Sequence, residues 1–141
     1  MKLKRRDFIS NAAIASAGLA LAPGIALGKK STDSKLRLGF IGVGLRGTWH
    51  LQNALKRNDV EVVAICDTNP ARLDICRNHI ADAGQRKPRE FGNGDYDYQN
   101  LLLLKNLDAV IISTPWLWHT PMTVDAMKAK KYAGVEVSAA T

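Results

Sequence analysis

An α/β fold built on a doubly wound parallel sheet is what this sequence predicts, and three observations predict it. Short β-rich runs alternate with helical stretches of ten or more residues, and parallel strands need crossovers of that length. A glycine cluster, Gly42, Gly44 and Gly47, follows the first β-rich run and opens the first helical stretch. An acid, Asp67, closes the second β-rich run, 20 residues beyond Gly47. Right-handed crossovers then put helices on both faces of the sheet.

The elements come in order after an address. Residues 1–28 read as a targeting segment and are set aside from the fold. Lys2, Lys4, Arg5 and Arg6 form a positive start, residues 12–27 are apolar but rich in alanine, and Gly24, Ala26 and Gly28 offer small-x-small cleavage points. The run Arg5-Arg6-Asp7-Phe8-Ile9 resembles a twin-arginine signal, with Lys4 where Ser or Thr is usual. An ordinary secretory signal peptide or an uncleaved anchor is the alternative. The reading implies export through the twin-arginine machinery to the periplasm, without a stable membrane span. Residues 29–35 read as a linker, and 36–141 as the folded domain.

Within that domain Leu36 to Ile41 reads as a strand and Thr48 to Arg57 as a helix, with Leu51, Ala54 and Leu55 at helical spacing. Val60 to Cys66 is a second strand. Asn69-Pro70 opens a helix to about Ala83, with Leu73, Ile75, Cys76 and Ile80 inward. Residues 84–95 are polar and carry Pro88, which makes them a loop with room for one short strand. Tyr98 to Leu104 suggests a helix, and Asp108 to Ser113 a buried strand around Ala109-Val110-Ile111-Ile112. Pro121 to Lys130 is a helix with Met122, Ala126 and Met127 inward; Ala133 to Val137 is the last strand. No internal repeat or low-complexity tract interrupts the series.

The composition narrows the function classes. Apolar residues are 46% of the 141, enough for a packed core. The net charge is +7, of which the first 28 residues supply +3, leaving a mild +4 for the rest. No Lys/Arg block with interleaved aromatics accompanies it, so it reads as a soluble basic surface and not as a nucleic-acid footprint. Cys66 and Cys76 form neither a disulfide framework nor a metal cluster. A bridge between them requires the second strand's end to meet the next helix.

Gly42-Val43-Gly44-Leu45-Arg46-Gly47 is G-x-G-x-x-G in a strand–turn–helix setting, the phosphate cradle of a Rossmann-type sheet. Gly42 makes the tight turn, Gly44 lets a pyrophosphate approach the backbone, and Gly47 lets helix and strand pack closely. The helix N-terminus supplies N–H groups and partial positive charge. Asp67 is placed to accept both ribose hydroxyls of an adenosine and to repel a 2′-phosphate, and no Arg follows it in Thr68-Asn69. The cofactor implied is NAD and not NADP.

Phe40 to Gly47, the Cys66-Asp67 strand end, Ser113-Thr114-Pro115 with His119, and the segment at Glu136 resemble the N-terminal domain of the glucose–fructose oxidoreductase, inositol dehydrogenase and MocA (Gfo/Idh/MocA) family over about Leu36 to Thr141. The resemblance implies a further C-terminal α/β domain that holds a sugar. Dehydrogenases of that family usually close this domain with Glu-Lys-Pro, whose lysine assists proton transfer; here the run is Glu136-Val137-Ser138, and valine carries no proton. Leu45-Arg46, Trp116-Leu117-Trp118-His119 and Glu136-Val137 instead resemble family 109 glycoside hydrolases, α-N-acetylgalactosaminidases that keep NAD bound. That resemblance implies transient oxidation of the sugar, elimination of the aglycone, addition of water and return of the hydride.

Carried over residue by residue, the resemblance puts Leu45 and Arg46 near the NAD phosphates, Asp67 on the adenosine ribose, and Trp116, Leu117, Trp118 and His119 on the nicotinamide side. Glu136 and Val137 contact the cofactor at the last strand end. Plainer roles stand beside these: Trp116 and Trp118 as covered core aromatics, His119 as a packing residue at a helix start, and Glu136 as an exposed strand-end charge. The sequence stops just after its last legible strand, so the reading is of an incomplete chain. The sugar or glycan site and most catalytic groups are expected in a C-terminal domain, and no catalytic residue is assigned here. A homo-oligomer is left open. A sugar dehydrogenase of the same family, or a bare NAD-binding fragment without catalysis, is the other reading.

Overall fold

The computed structural model describes residues 34–137; the residues read as a signal segment and most of the linker lie outside them. Five strands form one all-parallel sheet: β1 (Leu36–Ile41), β2 (Val60–Cys66), β3 (Arg89–Phe91), β4 (Ala109–Ile112) and β5 (Tyr132–Val135), in the order β3-β2-β1-β4-β5. The helices between them are α1 (Leu45–Leu55), α2 (Pro70–Asp82), α3 (Tyr98–Leu102) and α4 (His119–Lys128), with a 3-10 turn at Trp116–Trp118. The chain runs outward from β1 to β3 and then returns to the other side of β1 at β4. That reversal leaves a crevice beyond the carboxyl ends of β1 and β4, where open α/β sheets bind ligands.

Strand alternation divides the apolar residues into two layers. Leu38 and Phe40 of β1 pack with Leu51 of α1 and with Leu73, Cys76 and Ile80 of α2. Ile41 faces the other way, onto Tyr98, Leu101, Met122 and Ala126 of α3 and α4. In β2 the alternation changes phase. Val60 and Val62 face α1 and α2, and then Ile65 does so as well. The pairing with β1 jumps at the same place, from Leu38 opposite Val62 to Gly39 opposite Ala64. One extra residue in a strand moves all later side chains to the opposite face. It is this bulge that places Cys66 in the α3/α4 layer while Cys76 lies in the α1/α2 layer. The two thiols are free and buried on opposite sides of the sheet, which rules out the bridge considered from sequence. Burial pushes the Cys66 thiol up to about 12.

Element boundaries depart from the apolar pattern where turns intervene. Helix α1 starts at Leu45, three residues before its apolar spacing becomes visible, because the third glycine sits inside its first turn. Helix α4 starts at His119 and not at Pro121; a proline in the first turn gives up an N–H that had no partner there. The same helix ends at Lys128, and Lys130 takes a left-handed φ of 59° before β5. Helix α3 closes at Leu102, and β5 spans Tyr132–Val135, one residue earlier at its start than expected and two at its end. Helix α2 is capped by Asn69, whose side chain accepts from the Ala71 N–H at 3.0 Å. Ile75 and Met127, expected inward, are exposed.

Candidate functional site

The strand-to-helix turn after β1 is built from glycines for two separate steric reasons. Gly42 has φ +80°, and a Cβ there would lie 2.9 Å from the Ser113 backbone. At Gly47 a Cβ would lie 1.9 Å from the Gly42 carbonyl oxygen, so helix α1 can begin against the turn only with no side chain at that position. Gly44 differs from both: its Cβ position has no atom within 4 Å, and the outer face of the loop is open. Helix α1 has no side-chain cap and no acid in its first turn. Its leading amides therefore remain available to an anion.

Asp67 stands at the end of β2 across from this loop. Its Oδ2 accepts from the Val43 N–H at 2.8 Å and its Oδ1 from the Asn69 N–H at 2.9 Å. Each carboxylate oxygen has a second lone pair for a further donor. Asp67 and Gly42 line a cleft of about 240 Å³ with Gly44, Thr68, Gly94, Asp95, Ser113, Thr114, Pro115 and Trp118. None of the residues lining it is a lysine or an arginine, and two are aspartates. The Ser113 hydroxyl oxygen is buried without a hydrogen-bond partner, a group that a polar ligand at this wall would satisfy. An open glycine, an uncapped helix start and a carboxylate on the opposite wall fit a dinucleotide. Among the described residues no lysine or arginine lines the cleft with Asp67, which suits a free 2′-hydroxyl and not a phosphate.

The loop from Gly92 to Asp97 closes the far side. This polar stretch is held by one buried acid. Asp97 is buried, accepts from the Asn93 N–H and the Asn100 amide, both at 2.8 Å, and lies below the usual carboxylate range because of those bonds. Gly94 and Asp95 are thereby presented to the cleft.

The segment Trp116 to His119 splits three ways. Trp118 lines the cleft and meets the rings of Tyr96 and Tyr98 edge-on, with centroids 5.4 and 6.5 Å away. Trp116 and Leu117 are 67% and 71% exposed and turn outward. His119 is 1% exposed, and its Nε2 bonds the Thr114 carbonyl at 2.8 Å. It thus packs behind the β4–α4 turn, in the helix-start position weighed from sequence, and steadies Thr114 from below.

Glu136 follows β5 and is not a free strand-end charge. Its Oε1 is hydrogen-bonded with His50 Nε2, and Arg46 Nε lies 3.6 Å away. The His50 bond first, and then the charge of Arg46, hold Glu136 below the usual carboxylate range. Arg46 also sits over the Trp49 ring at 5.8 Å. Glu136, Val137 and His50 line a shallow concavity separate from the Asp67 cleft. The twelve residues singled out by sequence therefore divide. Gly42, Gly44, Asp67 and Trp118 share one cleft, Gly47 and His119 support it from behind, and Arg46, Glu136 and Val137 gather beside it. Leu45, Trp116 and Leu117 are exposed. Missed from sequence were His50, Thr48 and Ser113. The i+4 spacing of Arg46 and His50 on one helix face was the available signal.

The sequence profile of the Gfo/Idh/MocA oxidoreductases, described as an oxidoreductase family with an NAD-binding Rossmann fold, matches residues 36–136. A glycosyl hydrolase family 109 protein of Shewanella pealeana is 38% identical over 97% of this chain and 34% of its own length. One of Parabacteroides distasonis is 41% identical over 99% of this chain and 33% of its own. The chain thus spans about a third of the length of these curated relatives. Among solved structures, the WlbA dehydrogenase of Bordetella pertussis, crystallised with NADH and UDP-GlcNAcA, is 28% identical with a TM-score of 0.61, over 75% of this chain and 30% of that one. The myo-inositol 2-dehydrogenase of Lactobacillus plantarum is 26% identical with a TM-score of 0.64, over 76% and 29%.

Proposed function

Given that this chain belongs to the Gfo/Idh/MocA oxidoreductase family and carries its NAD-binding Rossmann domain, we propose that it supplies the cofactor domain of an exported NAD-dependent glycosidase resembling α-N-acetylgalactosaminidases. The observation that carries this is the strand end Glu136-Val137. Val137 is exposed there and has no titratable group to take a proton from a sugar hydroxyl. Relatives named as family 109 glycosyl hydrolases at 38% and 41% identity support the same reading.

NAD bound in this domain supplies a hydride acceptor that can return what it takes. The chain's own residues do the holding. The loop at Gly44 and the first turn of α1 receive the pyrophosphate, Asp67 takes the ribose hydroxyls, and Trp118 walls the cleft. Glu136, kept anionic by His50 and Arg46, stands at the edge nearest the last strand. The sugar or glycan is met by groups outside the described residues.

The test uses a polypeptide that joins this chain to the length its relatives carry beyond it. Release of nitrophenol from p-nitrophenyl α-N-acetylgalactosaminide, without accumulating NADH, is the expected result. Loss of deuterium from the sugar carbon beside the oxidised one is expected with it. Stoichiometric NADH from a free sugar with no aglycone release overturns the reading in favour of a dehydrogenase, as the solved neighbours are named. The proposal of export rests on Arg5-Arg6 with Phe8 and Ile9. Replacing both arginines by lysine traps the protein in the cytoplasm if the signal is of the twin-arginine kind; unchanged export contradicts it.

A further inference from the structure

Val43 lies between the first two glycines of the loop, and the peptide units on either side of it are each held by a side chain. Its N–H donates to Asp67 Oδ2 at 2.8 Å, and its carbonyl accepts from the Thr48 hydroxyl at 2.8 Å. Val43 itself is fully buried. The Thr48 hydroxyl also lies 3.4 Å from the Cys76 sulfur on α2, which is wholly inaccessible. Glycine-rich turns have many backbone conformations of similar energy, and a phosphate cradle needs one of them. Gly44 contributes nothing to that choice, since no atom surrounds its Cβ position. The restraint must come from the residue before it.

We infer that Thr48 is a positioning residue for the dinucleotide pyrophosphate: its hydroxyl fixes the plane of the Val43–Gly44 peptide, next to the Gly42–Val43 peptide that Asp67 holds, and so aims the Gly44 backbone and the first amides of α1 at the phosphates. Thr48 touches no ligand in this scheme. It sits one turn into α1, where its own N–H bonds the Gly44 carbonyl at 2.9 Å, so one residue grips both peptides that flank the open face. Asp67 gains a second task, because the carboxylate that meets the ribose also holds the phosphate loop. Asp67 and Thr48 thus hold consecutive peptides of the loop, the first beside the ribose and the second beside the phosphates. The inference needs only the NAD-binding role of the domain and is independent of which sugar chemistry the protein performs.

The experiment measures binding of NAD, ADP and adenosine to the 141-residue chain and to Thr48→Val and Thr48→Ser, with thermal melting of each unliganded protein alongside. Valine keeps the shape and removes the hydroxyl, whereas serine keeps the hydroxyl. Expected is a loss of about tenfold for NAD and ADP in Thr48→Val, as for one hydrogen bond, and adenosine binding within twofold of the parent. Thr48→Ser should bind all three within about threefold of the parent. An equal loss for adenosine in Thr48→Val means general loosening of the fold and overturns the inference. So does a tenfold loss in Thr48→Ser, which stays informative even if the valine variant does not fold. Unchanged NAD binding by a folded Thr48→Val overturns it most simply.

Discussion

The turn at Gly42 to Gly47 and the turn at Pro115 to Trp118 both leave the carboxyl end of a central strand, yet they are finished to different degrees. In the first, each glycine answers a named steric demand or leaves a face open, and Asp67 and Thr48 secure the two peptides that flank Val43. In the second, two large apolar side chains, Trp116 and Leu117, face solvent, and only Trp118 is packed. The glycine turn is thus held by contacts within the described residues. The surface beside Trp118 is left with two apolar side chains uncovered.

Breaking the finished turn has the largest expected effect. Gly47→Ala puts a Cβ 1.9 Å from the Gly42 oxygen, and either the helix or the turn must move. A loss of about 3 kcal/mol of stability, read by chemical denaturation, and loss of NAD binding are expected. Asp67→Ala comes next. It leaves the ribose hydroxyls and the Val43 N–H without their charged acceptor, so NAD affinity should fall by about 1–3 kcal/mol, measured by titration calorimetry, and the preference over NADP should shrink. Equal affinity of the unmodified protein for the two dinucleotides would contradict the role given to Asp67.

The unfinished turn predicts small effects. Trp116→Ala should change the melting stability of the 141-residue chain by no more than about 0.5 kcal/mol, since an exposed side chain loses little on truncation. A larger loss would mean that Trp116 is packed. The smallest effect concerns Glu136. Its carboxyl lies below its ordinary 4.5 in the folded chain because His50 and Arg46 favour the anion. A depressed acid stabilises the fold above its unfolded value, and that contribution disappears as pH falls through the folded value. Glu136→Gln should therefore lower stability slightly at neutral pH, and its curve should meet the parent's as pH falls below about 4.5. A variant curve that tracks the parent at neutral pH as well would count against the His50–Glu136 contact.

What the sequence made legible follows the same division. The glycine spacing, Asp67 and the alternation of short apolar runs with helices were readable because each rests on local chemistry: a turn, a cap, a period of 2 or 3.6. The bulge at Val63 was not. It shows only as a register jump against β1, and with it went the opposite placement of Cys66 and Cys76. The fate of Glu136 was equally hidden, because His50 lies 86 residues away and meets it only when α1 packs beside β5. His119 had two readings, and its burial against the Thr114 carbonyl separates them by a contact that spacing alone does not reveal.

Under the proposed function, the glycine loop and Asp67 hold the adenosine half of NAD, and the exposed surface at Trp116 and Leu117 holds the nicotinamide half only weakly. Binding of ADP and of nicotinamide mononucleotide to the 141-residue chain, followed by amide chemical shifts, tests it most directly. ADP should saturate and move the signals of Gly42 to Gly47 and Asp67, and nicotinamide mononucleotide should leave those around Trp116 to Trp118 unsaturated. Tighter binding of nicotinamide mononucleotide than of ADP, or no response of the glycine loop to ADP, would contradict it.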